Sequence, residues 1–460
     1  MRITWAGRSL PSLEERFSSR HNALGVIRLA LATAVLVGHA WPLSGVSEHQ
    51  VLRDASSGQT DLGAMAVYGF FVLSGFLITG SGLKLTVGRY AWHRFLRIFP
   101  GLWVCLLVTA LGIAPLVALY ERGTLDGFWT HPLGPQQYIT VNWFASWGQA
   151  QISGLLTEAP YSQLLGGRPG SFDASLWTLK YELTCYIVVG ALAGTAVLRR
   201  APRAVVLLAG LLYGILLVDW YRGPGLTAGL QGRGALGPFP LLGSLSVHQV
   251  ICLGFLFLLG GAIRLYRHRV PMHGGLAAVA GVALLVSLTQ GGFYVVGLPA
   301  YAYLLFYLAV ALPGIFQRIG RKRDYSYGIY IYGWPVQQVI ALMGGARYGL
   351  FVYILLSVLG TLALAVPSWH LVERPAMSLK DRSLPLLDRW RQGRGAHDQP
   401  TADANMAAAT TMQLPAITVP RSRTEPTLAG AGLPGGYVEE HRQADPSVTG
   451  SPHPQGQTNR

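Results

Sequence analysis

Apolar residues gather into ten runs along the chain, near residues 24–43, 64–83, 99–119, 175–198, 203–219, 248–266, 273–290, 293–313, 325–345 and 348–371. About 20 residues rising roughly 1.5 Å each span about 30 Å, the thickness of a bilayer's hydrocarbon core. The pattern therefore predicts an all-α polytopic integral membrane protein, a bundle of about ten transmembrane helices, because a helix satisfies its backbone polar groups internally in lipid. The polar stretches between the runs alternate in charge. Arg2, Arg8, Arg16 and Arg20 precede the first run, and Lys84, Arg89, Arg94 and Arg97 follow the second. Arg199, Arg200 and Arg203, then Arg264, Arg267 and Arg269, then Arg318, Arg321, Lys322 and Arg323 continue the series at every second connection. Since basic loops stay in the cytoplasm, N and C termini are both predicted to be cytoplasmic.

Two polar residues interrupt the first run. Arg28 and His39 are separated by eleven steps of about 100°, three turns plus roughly 20°, so they share one face of the helix about 16 Å apart. Ionisable groups inside a spanning helix are costly and ordinarily face a cavity or a partner, which makes the pair a functional candidate. If the first helix enters from the cytoplasm, Arg28 lies near that side and His39 nearer the far one. Glu182, entering from the outside in the fourth run, reaches a similar depth to His39. A carboxylate beside an imidazole fixes its tautomer and raises its basicity, as a general base requires.

Composition agrees with the membrane reading. Of 460 residues, 51% are apolar and only 12% charged, against about 25% charged in an average soluble domain. The net charge of +15 lies in short clusters between apolar runs, a pattern of membrane orientation and not of a nucleic-acid surface. Residues 1–22 hold charges of both signs and no apolar core, so they read as a cytoplasmic N-terminal segment ahead of an uncleaved first span. Past Arg394 the apolar period stops, and residues 395–460 read as a disordered cytoplasmic tail. Cys105, Cys185 and Cys252 have no metal-ligand spacing and read as buried free thiols; no metal is expected.

A second cluster, Arg94-Phe-Leu-Arg-Ile-Phe-Pro100, places two arginines one turn apart at what reads as the mouth of the third span. Paired arginines grip phosphate bidentately. With Arg28 nearby, three cations on the inner side and a histidine on the outer suit a long anionic donor such as acyl-coenzyme A. Other segments read as structural: Gly69-Phe-Phe-Val-Leu-Ser-Gly-Phe76 as a close-packing helix, Tyr325 to Pro335 as an aromatic interface belt entering a proline kink, and Glu373-Arg374-Pro375 as a helix-end ion pair stopped by proline. His49 and Asp54 match a His-x4-Asp spacing but lie in a short polar outer loop. The long outer connection from Tyr120 to Asp173 is expected to cap an outward site, and Trp129, Trp143, Trp147 and Trp177 offer aromatic faces for a sugar.

Taken in order, Arg28-x10-His39, Phe70-Phe-Val-Leu-Ser-Gly-Phe76, Arg94-x-x-Arg-Ile-x-Pro100, Ser175-Leu-Trp-Thr-Leu-x-x-Glu182, Asp324-Tyr-Ser-Tyr-Gly-Ile-Tyr330 and Glu373-Arg-Pro375 resemble the membrane acyltransferase-3 family. That family includes bacterial O-antigen and exopolysaccharide O-acetyltransferases. The resemblance covers about residues 20–380 and implies a membrane acyltransferase domain at residues 23–380 in the bacterial inner membrane. It implies transfer of an acyl group, most often acetyl, from cytoplasmic acyl-CoA to a hydroxyl of a glycan or lipid-linked saccharide acceptor at the outer side. On this reading His39 and Glu182 are catalytic, and Arg28, Arg94 and Arg97 bind the donor. The chain departs from the family in carrying Gly333-Trp-Pro where many relatives have His-Trp-Pro, so no second histidine is expected to act. Some relatives also carry a soluble hydrolase-like domain, whereas the tail here is too poor in apolar residues to fold as one. Two other classes fit the polar residues less fully: a proton-coupled exporter using Arg28, His39 and Glu182 as a relay, and a passive scaffold of a polysaccharide-synthesis complex.

Overall fold

A computed structural model describes residues 4–5, 8–18, 21–47, 49–223 and 234–381. The expected tail at 395–460 lies outside the described residues, as does part of the N-terminal segment. Among the described residues a long helix stands at each of the ten predicted places: α1 (Leu24–Leu43), α2 (Leu62–Lys84), α3 (Val87–Leu107), α4 (Leu179–Gly194), α5 (Arg203–Arg222), α6 (Val247–Leu265), α7 (Gly274–Gln290), α8 (Leu298–Ala311), α9 (Ser326–Leu342) and α10 (Leu350–Ser368). Strand is confined there to two short hairpins. Seven of these helices, with their continuations, are long and apolar enough to cross a membrane: α1, α2, α3, α5, α6, α8 and α10. The chain is a mostly helical membrane protein.

Helix α2 is the centre of the bundle. Its most apolar stretch is 89% buried, against 17% for α5 and 22% for α10, whose outer faces are left for lipid. The core contact is between α2 and α6, where a Cβ on Gly75 would lie 1.8 Å from the Phe257 carbonyl oxygen and one on Gly260 1.9 Å from that of Val72. Helices between which lipid supplies no hydrophobic drive associate by such close backbone approach. The predicted packing role of residues 69–76 is thus realised by a reciprocal pair of glycines.

Three local readings are corrected. The third helix begins at Val87, not near residue 99, and continues as one helix to Arg122 through a π turn at Val108–Ile113. Hydropathy places its start late because Arg94 and Arg97, which lower the local average, face inward and are buried. Glu373-Arg-Pro375 does not stop the last helix. A π turn at Trp369–Glu373 lets it run on to Ser378 with Pro375 in the first turn of the continuation, where the missing N–H breaks no bond. Finally, Tyr327, Tyr330, Tyr332 and Trp334 form no interface belt: each is at most 2% exposed in the interior of α9. Buried tyrosines need acceptors, and Tyr327 Oη donates to the Ile98 carbonyl at 2.5 Å.

The connections sort into two sets of contacts. Leu13 N donates to Val270 O, Ala23 N to Ala309 O and Arg199 to Leu83 O, while Ile319 and Gly320, midway along the α8–α9 connection, press on Gly25. These are the basic connections. In the other set, Gln59 bonds the end of α7 and the backbone of Phe293, Pro160 packs on Gly45, and Lys180 bonds Ser244. The connection between α3 and α4 belongs here. It carries two short helices, Pro135–Asn142 and Pro160–Leu164, and Trp334 Nε1 and Gln338 Nε2 both donate to its Ser171 carbonyl at 2.9 and 3.1 Å.

Candidate functional site

Helix α1 holds both of its polar residues out of solvent, with Arg28 at 4% exposure and His39 at 1%. A buried guanidinium needs a counter-charge. It is supplied by Asp324, immediately before α9, whose Oδ2 accepts from Arg28 Nη2 and, at 2.6 Å, from Arg97 Nη2. The other oxygen, Oδ1, accepts from Ser326 Oγ at 2.6 Å. Arg97 Nη1 also stands 3.6 Å from Glu373 Oε2, and Ser368 Oγ donates to the same carboxylate at 3.2 Å. The extra turn of π helix thus carries Glu373 to the arginines.

Aromatic faces wall the cations. The Arg97 guanidinium lies 5.6 Å from the Tyr327 ring centre and 6.0 Å from that of Trp369, and Arg94 lies 6.0 and 5.9 Å from those of Tyr90 and Tyr186. Such contacts attract a cation in place of lost hydration. Glu182 joins this cluster. Tyr186, one turn further along α4, donates its hydroxyl to the Glu182 carboxylate, on which the charges of Arg97 and Arg94 also act. The cluster therefore gathers Arg28, Arg94 and Arg97 with three carboxylates, Asp324, Glu373 and Glu182.

His39 stands in a different place. It lines a small cavity of about 10 Å³ together with Ser175, Tyr330, Gly333, Trp334 and Gln337. A space of that size holds about one water-sized group, which suits a reacting group and not an entire cofactor. The Trp334 ring meets His39 edge-on, with centroids 4.8 Å apart. One wall is built by the chain entering α4: Tyr330 Oη donates to the Ser175 carbonyl, and Ser175 Oγ donates to Asp173 Oδ1 at 2.7 Å. Asp173 lies in the connection ahead of that helix, and burial pushes its carboxyl up to about 8. It is neutral at ordinary pH and serves Ser175 as a fixed acceptor.

The structure thus joins Arg28, Arg94, Arg97 and Glu182 in one cluster and sets His39 in a cavity of its own on the same helix as Arg28. Asp324 stood in a sequence motif without a role, and Glu373 was read only as part of a helix-end ion pair. Their signal was stoichiometric: three arginines in apolar surroundings require acids nearby. Of the outer tryptophans, Trp129 is exposed, whereas Trp143 stacks on Trp103 at 4.5 Å, Trp147 donates to the Asp173 carbonyl and Trp177 is buried. The three cysteines are free, Cys105 and Cys252 buried and Cys185 partly so. Among the described residues no group of His, Cys, Asp or Glu is arranged to hold a metal, and His49 and Asp54 are both exposed.

The molecule is a helical membrane bundle with a histidine cavity and a buried arginine cluster at two levels of one helix. Residues 21–370 match the model of the acyltransferase domain, and the chain belongs to the acyltransferase-3 family. It is 29% identical over 392 residues to nodulation protein 10 of Rhizobium leguminosarum bv. viciae, covering 80% of this chain and 96% of that one. It is 25% identical over 371 residues to an O-acetyl transferase of Shigella phage Sf6, covering 80% and 98%. No solved structure matches the chain. The protein is an acyltransferase, and this membership favours group transfer over the transport alternative.

Proposed function

We propose that this enzyme carries an acyl group, most simply acetyl, from cytoplasmic acyl-CoA to a hydroxyl of a glycan or lipid-linked sugar at the outer face of the bacterial inner membrane. The observation that carries the reading is the division of labour along α1. Arg28 belongs to a cluster of cations and His39 to a small cavity, roughly 16 Å apart on one helix. The name of the phage relative, an O-acetyl transferase, supports acetyl as the group moved.

The ten helices cross the membrane, with both termini cytoplasmic. Supporting this, the basic connections contact one another and the weakly charged ones contact one another. The donor's phosphates exchange for Asp324 and Glu373 on Arg28, Arg97 and Arg94, and its pantetheine arm follows α1. Glu182 balances charge in that cluster through Tyr186. At the cavity His39 takes the proton of the attacking hydroxyl as the new C–O bond forms. The C–S bond breaks and CoA leaves as the thiol after accepting a proton; in the second route, His39 carries the acyl group between donor and acceptor. The test is transfer of [14C]acetyl to membrane glycans by His39→Ala and Arg28→Ala variants at equal protein levels. Both are expected to lose it, and wild-type transfer by either would overturn the reading.

A further inference from the structure

Gln337 is fully buried in α9 and lines the His39 cavity. Its amide is oriented without ambiguity, because Nε2 lies 2.9 Å from the Leu36 carbonyl oxygen, which can only accept. The backbone is held as well, since Tyr353 Oη donates to the Gln337 carbonyl at 2.9 Å. The remaining atom, Oε1, is buried and has no hydrogen-bond partner. A buried acceptor left unmade is unfavourable, so a fixed one on a cavity-lining residue is poised for a donor that arrives with a ligand.

Under the reaction proposed above, the attacking hydroxyl has one hydrogen and gives it to His39. It has none left for Gln337. We propose that Gln337 Oε1 accepts from a second hydroxyl of the acceptor, adjacent to the reacting one, and so selects polyhydroxylated acceptors such as sugars over simple alcohols and water. This inference rests on that functional reading. A site that hydrogen-bonds a substrate hydroxyl rejects analogues lacking it, because its own polar group is then left unpaired.

The test uses the full chain in nanodiscs with [14C]acetyl-CoA and graded amounts of lipid-linked saccharide extracted from the source cell. Gln337→Met keeps the length and bulk of the side chain but removes both polar ends. It is expected to need about ten- to hundredfold more saccharide for the same transfer, with the acetyl-CoA requirement unchanged. Gln337→Glu keeps the length of the side chain and an acceptor oxygen in place of Oε1, and is expected to recover part of the loss. Gln338→Met is the control. Gln338 is equally buried on the same helix and also has one amide end bonded and Oε1 without a partner, but it does not line the cavity. Its acceptor requirement is expected to stay that of wild type. Wild-type acceptor dependence in Gln337→Met would overturn the proposal and leave only a trapped water at Oε1. A raised acetyl-CoA requirement would overturn it too, assigning Oε1 to an amide of the donor's pantetheine arm. His39→Ala in the same assay separates the two levels: if it transfers like wild type, or if wild type transfers nothing, the functional reading itself fails.

Discussion

Gly333 offers a test in which stability and activity should move in opposite directions. It sits in the interior of α9 with helical backbone and forms part of the His39 cavity wall. A Cβ built there meets only Leu36 Cδ1, at 3.8 Å, an ordinary van der Waals distance. Gly333→Ala therefore costs no overlap, and replacing a helix-interior glycine by alanine stabilises by roughly 0.5–1 kcal/mol. The added methyl projects into the cavity. It takes about the space of one water, and the cavity beside the imidazole has room for little more than that. A displacement of about 1 Å in a reacting group is enough to cost roughly a hundredfold in rate. Gly333→Ala is thus expected to unfold at the same or higher temperature in detergent while losing at least an order of magnitude in [14C]acetyl transfer. Intrinsic tryptophan fluorescence during a thermal ramp reads the first quantity and label in membrane glycans the second. Wild-type transfer by this variant would refute the claim that the cavity holds the reacting groups, and a lowered unfolding temperature would refute the packing argument.

Two further outcomes follow from the charged groups. Asp324→Asn removes the carboxylate that Arg28 and Arg97 share, taking from Arg28 its counter-charge and leaving Glu373 beside Arg97, and breaking such a buried pair costs about 3–5 kcal/mol. Adding Arg28→Met to it should recover part of the lost thermal stability, and a double variant no more stable than Asp324→Asn would argue against the pairing. For Asp173, the folded carboxyl sits at about 8, above the roughly 3.9 of an unfolded chain. Its contribution to stability is complete below about pH 4 and is lost as pH rises through about 8, because the unfolded state ionises first. Asp173→Asn keeps an acceptor for Ser175 and cannot ionise, so its unfolding temperature should fall less than that of wild type between pH 5 and pH 9; parallel falls would contradict the buried neutral carboxyl.

Much of the site's outline was legible before the fold. The 3.6-residue period alone put Arg28 and His39 on one side of a helix, and both prove buried there. The spacing of Arg94 and Arg97 likewise marked two cations on adjacent turns. What misled was averaging: hydropathy counts a charge against a span whether it points to water or to a carboxylate, so the start of α3 was placed too late. The tyrosines after Asp324 were misread for the same reason. An amphipathic ring with a hydroxyl suits an interface or an interior with an acceptor, and the acceptor, the Ile98 carbonyl for Tyr327, is 229 positions away.

By itself the sequence determined where helices form, which residues share a face, which connections are basic and to which family the motifs point, because these depend on neighbours within a few turns. Only the tertiary structure decided the counter-ions and the walls. Asp324 lies 296 positions from Arg28, and the His39 cavity is assembled from α1, α9 and the chain entering α4. Burying a cation demands an acid and burying an amide demands a partner, but which acid, and whether the partner is protein or substrate, depends on how the helices cross. That packing gave Arg28 an acid from the protein and left Gln337 Oε1 without a partner.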